Sequence, residues 1–259
     1  MHTVTLTSDW KADDYYVAAL KGSLLSGFPD FRMIDISHRV DSFNINQAAF
    51  LIRNSYKYCP AGSIHLCAVT TGSFNGRQLA AYRDGHYFLC ADNGMLSLMA
   101  EGETEEVVVL DHDGGSFPAL ETLAPAACAL ARGQKLSSLG KQAENIESRT
   151  PLRPVITSGS ISGRIIYLDS YENAISNISK ALFEHVGKGR PFEILVQSKQ
   201  NIIRKLSRHY HDCPPGDLLA LFNAAGLLEI AMCEGNAGGL HNLTTRSSIR
   251  VEFKDPENA

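Results

Sequence analysis

The sequence predicts an α/β protein in two parts: a parallel sheet covered by helices over residues 1–150, then an all-β domain over 155–259. Three observations carry this. Up to about residue 150, short apolar runs alternate with stretches whose apolar residues recur at helical spacing, as in strands joined by crossover helices. From about Pro154 onward, short branched-rich or alternating runs succeed one another between Gly, Pro, Asn and Asp, and helix signals thin out. Between the two, Gln134 to Pro154 is polar and carries Pro151 and Pro154, the composition of a linker that crosses the surface.

Taken in order, Val4-Thr-Leu is the first strand. Tyr16 to Leu25 then places Val17, Leu20, Leu24 and Leu25 on one helical face, and Pro29 ends the helical stretch. A second strand falls at Arg32 to Ile36, a helix at Asn46 to Tyr58 and a buried strand at Ile64 to Val69. Strands at Leu79 to Tyr82 and His86 to Cys90 flank Arg83-Asp-Gly85, a hairpin signal. Val107 to Leu110 is a further strand, and an Ala-rich helix runs from Ala124 to Arg132. In the second part, Gly163 to Asp169, Phe192 to Gln197, Leu218 to Phe222, Leu227 to Ala231 and Ile249 to Phe253 read as strands.

Composition narrows the function classes. A chain of 259 residues with 44% hydrophobic content fills one sizeable core or two modest ones, and a net charge of -4 offers no basic face for nucleic acid. The N-terminus Met-His-Thr-Val-Thr-Leu-Thr lacks a basic region before an apolar core, and no run reaches the roughly 18 apolar residues needed to span a bilayer. The expectation is a cytoplasmic protein without a membrane partner. Cys59, Cys67, Cys90, Cys128, Cys213 and Cys233 are scattered without a Cys-x-x-Cys pair, so they read as reduced packing residues.

Generic chemistry motifs add little. Gly159-Ser-Ile-Ser-Gly163 holds part of a dinucleotide fingerprint but leads into a strand, which makes it a turn and not a phosphate cradle. Asp111-His-Asp-Gly-Gly115 has metal-type ligands without the further acids of a calcium loop, and reads as a solvated loop. His209, His211 and Cys213 alternate like one strand face, with no fourth ligand in register. No metal is expected.

Several separated motifs then occur in one order. They are Thr5-Leu-Thr-Ser-Asp9 with Asp14-Tyr-Tyr-Val, Ile34-Asp-Ile-Ser-His38, Val69 to Arg77, Asp92-Asn-Gly-Met-Leu-Ser97, Leu123-Ala-Pro-Ala-Ala127, Asp169-Ser-Tyr-Glu-Asn173 with Ser176-Asn-Ile178, and Pro214-Pro-Gly through Gly235-Asn-Ala237. Together they resemble the S-adenosylmethionine (SAM) hydroxide adenosyltransferase family, relatives of the fluorinase and chlorinase enzymes, over nearly all of the chain. The resemblance implies a Rossmann-like, parallel-sheet N-terminal domain followed by a C-terminal β-barrel. It further implies SAM as substrate or ligand with no separate cofactor, and a homotrimer with pockets at subunit interfaces.

Residue by residue, the resemblance gives Asp9 to the ribose hydroxyls, Asp169 to the methionine ammonium and Asn173 to the adenine edge. It gives Asn236 and Ala237 to the loop whose backbone meets adenine, and Tyr171 to the aromatic beside it, where Phe is usual. Phe117 joins the substrate-binding set. Helix N-capping is the structural alternative for Asp9, since Asp is favoured there. The family displaces methionine from the ribose 5' carbon, and its hydroxide-type members surround one water with Asp, Arg and His. Here those positions read Thr70, Arg77 and Pro118, with His112 the nearest other imidazole, and Ala224-Ala225 stand where relatives carry a polar residue for the methionine carboxylate.

Three readings compete. One is a SAM hydrolase working through Arg77 and the Thr70 hydroxyl, with Asp13 or Asp14 as further acids. The second is a catalytically silent SAM- or adenosine-binding module, and the third a halide-using adenosyl transferase.

Overall fold

The computed structural model describes residues 2–72, 76–99, 106–111, 115–198 and 201–254. The chain divides into two compact units, the second beginning at Leu152.

The first unit contains β1 (His2–Ser8), α1 (Tyr15–Gly27), β2 (Phe31–Ser37), α2 (Ile45–Arg53), β3 (Ile64–Ala68), β4 (Gln78–Arg83), β5 (His86–Ala91), α3 (Met95–Met99), β6 (Glu106–Leu110), α4 (Ala124–Ala131) and β7 (Gly140–Gln142). Its sheet runs β2-β1-β3-β5-β4-β6-β7. The pairs β2–β1, β1–β3 and β3–β5 are parallel, and β5–β4, β4–β6 and β6–β7 are antiparallel. The parallel sheet expected from the alternation is therefore corrected to a mixed one, while the hairpin expected at Arg83-Asp-Gly85 is present. The cause is local: Asp84 at φ +50° and Gly85 at φ +78° make a tight turn that folds β5 straight back onto β4, leaving no room for a crossover helix.

Alternation along β1 explains the layering. Val4 and Leu6 join a core with Leu20 and Leu24 of α1 and with Ala124 and Ala127 of α4, while α2 and α3 pack with Cys67, Leu79 and Phe88 in a second cluster. Central strands buried on both faces read as near-continuous apolar runs, as Ile64–Ala68 does. Leu25, expected on the inner face of α1, is 45% exposed, because the step from Leu24 turns it off the stripe made by Val17, Leu20 and Leu24. The polar stretch after Gln134 is mostly exposed, yet it is tied down. It supplies β7, and Glu147 N donates to Asp92 Oδ1 at 2.8 Å while Arg149 N donates to Ser97 Oγ at 2.8 Å.

The second unit contains β8 (Val155–Ile156), β9 (Ser160–Leu168), β10 (Ala174–Ser179), α5 (Lys180–Gly187), β11 (Phe192–Val196), β12 (Ile202–Ile203), β13 (Leu218–Phe222), β14 (Leu227–Met232), α6 (Ala237–Leu240) and β15 (Ser248–Phe253). The strands run β12-β11-β15-β9-β10-β14-β13, all antiparallel, with β8 on β9. Ser207 N, just past β12, donates to Ala220 O of β13 at 2.8 Å, so the sheet closes nearly into a barrel around Ile161, Ile194, Leu228, Ile230 and Val251. The all-β expectation is corrected at two places, α5 and the short α6. Helix α5 has its own signals, Ser179 Oγ accepting from Leu182 N as N-cap and Phe183 and Val186 forming a buried face. Gly159 to Gly163, expected as a turn before a strand, is already strand from Ser160 onward because it pairs with β15 and β8, and Gly163 is needed there because a Cβ would lie 2.6 Å from Asn177 Oδ1 and Ile178 Cγ1.

Candidate functional site

In the first unit, the chain leaves β1 toward β2 on one side while β3 lies on the other. Open sheets of this kind form a crevice at the carboxyl ends of such strands. Asp9 comes directly after β1, and Thr70 comes just after β3. Asp9 Oδ2 accepts from Phe43 N at 3.0 Å and from Thr70 N at 3.4 Å, so its carboxylate ties the two strand ends together. The N-cap alternative for Asp9 is not realised, because α1 starts at Tyr15 with Asp14 before it. Beneath Asp9, Ser8 Oγ lies 2.8 Å from His38 Nδ1, and Asp35 is shared by His38 Nε2 at 3.2 Å and Lys21 Nζ at 2.6 Å. The His38–Asp35 contact has ion-pair distance without hydrogen-bond alignment.

Thr70 has φ +52°, an outlier for a β-branched residue. Its Oγ1 is buried without a hydrogen-bond partner among the described residues, and its carbonyl accepts from Asn93 Nδ2 at 3.4 Å. Backbone strain and an unspent hydroxyl at a strand end are features of functional positions. Arg77 sits at the other end of this loop. Its Nε is 3.4 Å from Asp92 Oδ2 and its Nη2 donates to Asn145 O at 2.7 Å, while Asp92 N donates to Arg77 O at 2.9 Å. Asp92 is 2% exposed, and a buried carboxylate is retained only with such partners. In the sequence Asp92 is part of a motif without a role of its own; its place at the end of β5 is the available signal.

Phe117 stacks on Trp10 with ring centroids 5.3 Å apart and lies 5.1 Å from Tyr16, forming an aromatic cluster on the segment after Asp9. Pro118 is buried and opens the π-helical turn Ala119–Leu123 that leads into α4. His112 lies outside the described residues. Asp13 and Asp14 are exposed, and Asp14 Oδ2 accepts from Lys11 N at 3.2 Å.

The second unit brings another set together. Asp169 Oδ1 accepts from Tyr171 N at 2.9 Å and Asn173 N at 2.8 Å, and its Oδ2 accepts from Asn173 Nδ2 at 3.1 Å. Asp169 is thus the organiser of the 169–173 turn, in which Glu172 takes φ +57°. Asn173 is buried and Tyr171 is 77% exposed. Gly238 N donates to Glu172 O at 2.9 Å, joining this turn to the loop that holds Asn236, whose Oδ1 caps Gly239 N, and the buried Ala237. Asp169, Tyr171, Asn173, Asn236 and Ala237 therefore form one neighbourhood.

Nearby stands a group that sequence reasoning misses. Glu229 of β14 is 2% exposed and accepts from Tyr210 Oη at 2.9 Å and Asn223 Nδ2 at 2.9 Å. Burial pushes its carboxyl up, with Asp169 adding to the shift, and burial with the Glu229 hydrogen bond pushes the Tyr210 phenol up to about 12. Asn223 in turn accepts from Ala225 N and Leu227 N, so Glu229 holds the turn that carries Ala224 and Ala225. Among the described residues no group of three His, Cys, Asp or Glu side chains converges as for a metal ion, and His211 Nδ1 instead lies 3.9 Å from Cys233 Sγ.

A mixed α/β unit with a strained, polar crevice at its strand ends, and an antiparallel barrel-like unit with two joined polar loops, define a two-part protein with ligand-type side chains in each part. The family model described as SAM hydroxide adenosyltransferase N-terminal domain matches residues 4–140, and the corresponding C-terminal domain matches 163–250. The chain belongs to the SAM hydroxide adenosyltransferase family. It is 28% identical to an (R)-S-adenosyl-L-methionine hydrolase of Salinispora arenicola, covering 96% of this chain and 97% of the relative, and 25% identical to one of Methanocaldococcus jannaschii, covering 96% and 95%. A solved structure of a Thermotoga maritima protein has the same fold, with a TM-score of 0.87 at 23% identity over 96% of this chain and 99% of that one.

Proposed function

We propose that the protein cleaves SAM with water or hydroxide at the ribose 5' carbon, giving adenosine and methionine. The observation that carries this is the end-to-end relation to SAM hydrolases across both family domains. In the reaction an oxygen–carbon bond forms at the 5' carbon and the carbon–sulfur bond breaks, its electron pair staying on sulfur. The sulfonium leaves readily, so the protein's task is to orient a poorly solvated nucleophile and to favour its charge.

Each residue of the two neighbourhoods has a role in this reading. Asp9 faces the ribose hydroxyls while held in place by Phe43 N and Thr70 N. Asn173 has its amide nitrogen engaged by Asp169, which leaves the amide oxygen to accept from the adenine amine. Asp169 supplies a carboxylate at the amino-acid end, Tyr171 and Phe117 offer aromatic faces, and Asn236 and Ala237 present backbone to adenine. Arg77 favours the developing hydroxide, and the unspent Thr70 hydroxyl orients the water. The parallel strands β2-β1-β3-β5 act as a Rossmann-like platform for this, residues 1–150 and 155–259 are the two domains, and the assembly is a homotrimer with ligand pockets at subunit interfaces. The exposed Tyr15, Phe43 and Tyr171 fit such an assembly. No described helix is long and apolar enough to cross a membrane, and all six cysteines are free, which fits a reducing cytoplasm.

Incubation with SAM and then chromatography tests this reading. Adenosine and methionine in equal amounts are expected. Binding of SAM with no product indicates the silent module, and 5'-halo-adenosine in the presence of halide indicates the transferase.

A further inference from the structure

Gln78 is the first residue of β4 and is fully buried. Its Nε2 donates to Thr71 O at 2.8 Å and to Gly76 O at 3.4 Å, so one carboxamide closes the two ends of the loop between Thr70 and Arg77. Its Oε1 has no partner among the described residues. The orientation of the amide is nevertheless fixed, since exchanging its ends would set an oxygen against two carbonyl oxygens. An apolar side chain of similar length would avoid the unpaired oxygen but would leave the buried Thr71 carbonyl without its donor, so the amide is held here by the carbonyls it joins.

The neighbourhood gives the hydrogen bonds a purpose. Thr70 N is held by Asp9, Thr70 O by Asn93, and the next carbonyl, Thr71 O, by Gln78. A strained backbone persists only when its surroundings over-determine it, and these three side chains do so for the left-handed Thr70. One residue before Gln78, the backbone of Arg77 is fixed by Asp92.

We infer that Gln78 is a positioning residue for this reaction: its carboxamide clamps Thr71 to Gly76 and so sets the placement of the Thr70 hydroxyl and the Arg77 guanidinium. This rests on the proposed SAM cleavage, but its structural half stands apart from it.

The test uses the full-length protein with two substitutions. Gln78→Met keeps length and removes both donors. Expected are a kcat for adenosine release about 10- to 100-fold lower, the penalty of a small misplacement, a KM for SAM and a Kd for adenosine within about threefold of the parent, and a lower Tm, because the Thr71 and Gly76 carbonyls lose their donor. Amide hydrogen exchange at Thr71, Gly72, Gly76 and Arg77 rises. Gln78→Glu supplies a donor only when protonated, so its activity relative to the parent climbs as pH falls, whereas that of Gln78→Met does not. A folded Gln78→Met protein with parental kcat and parental exchange at those amides overturns the inference. If the parent itself releases no adenosine, the cleavage reading fails, and the exchange measurement alone decides whether Gln78 is the clamp.

Discussion

Thr70 occupies a conformation that Asp and Asn adopt far more readily than a β-branched residue does. A carboxylate at this position would therefore relax the backbone, but it would also lie close to Asp9, whose Oδ2 is 3.4 Å from Thr70 N. Two carboxylates in one neighbourhood oppose each other's ionisation. We accordingly expect Thr70→Asp alone to bring no gain in turnover and no net gain in thermal stability, the charge repulsion offsetting the relaxed backbone. Thr70→Asp with Pro118→His should raise adenosine release by about tenfold or more, the scale of restored acid-base handling, as read by chromatography on protein first shown to be folded. At the other neighbourhood, Asn173→Ala removes the amide that pairs with Asp169. It should weaken adenosine by about 1–3 kcal/mol in calorimetry, the cost of leaving buried polar atoms unpaired. The residues of these two neighbourhoods are singled out in the sequence by the motifs that resemble the family's, and the structure brings Asp169, Asn173 and the 236–237 loop together. The roles of Asp92, Gln78 and Glu229 are not legible in the sequence, because they depend on partners that only the folded chain brings near: Glu147 to Asp92, Thr71 to Gln78 and Asn223 to Glu229.

At the scale of elements, most strands are visible as apolar runs, since a strand buried on both faces leaves a plain signal. The direction of pairing is harder to see. Arg83-Asp-Gly85 announces a hairpin, yet the alternation of strands and helices argues for parallel neighbours, and the short-range turn prevails. Helix α5 is hidden because its apolar face is short and comes directly after β10. The 134–154 stretch looks like a free linker on composition, which carries no information about Gly140. A Cβ there would fall 2.0 Å from Val109 O on the neighbouring strand, so only glycine lets β7 pair with β6. We predict that Gly140→Ala costs about 1–3 kcal/mol as overpacking, read as a lower Tm. It should also reduce SAM turnover, because the segment beyond β7 supplies Asn145 O to Arg77 and Glu147 N to Asp92.

For the molecule as a whole, one contribution to the response to acid comes from two buried imidazoles in the first unit. His65 Nδ1 lies 2.8 Å from Thr5 Oγ1 and its Nε2 lies 3.1 Å from His86 Nδ1. Burial, with His86 adding to it, pushes His65 down to about 3 from its ordinary 6.5. Burial lowers His86 as well, against the opposing pull of Asp84. Because the unfolded chain binds these protons and the native one does not, their contribution to stability is complete above pH 6.5 and declines as pH falls toward 3. Thermal melts across that range should show Tm falling steeply below about pH 6, and a folded His65→Gln variant should flatten the lower part of the curve. The same chain of rings has a further property. A neutral imidazole donates from one nitrogen and accepts at the other, so if Thr5 donates to His65, then His65 must donate to His86, and both rings carry their proton on Nε2. The two tautomers are therefore not independent: the pair is polarised in one direction along the sheet, and nitrogen chemical shifts of the two rings should report a single shared orientation.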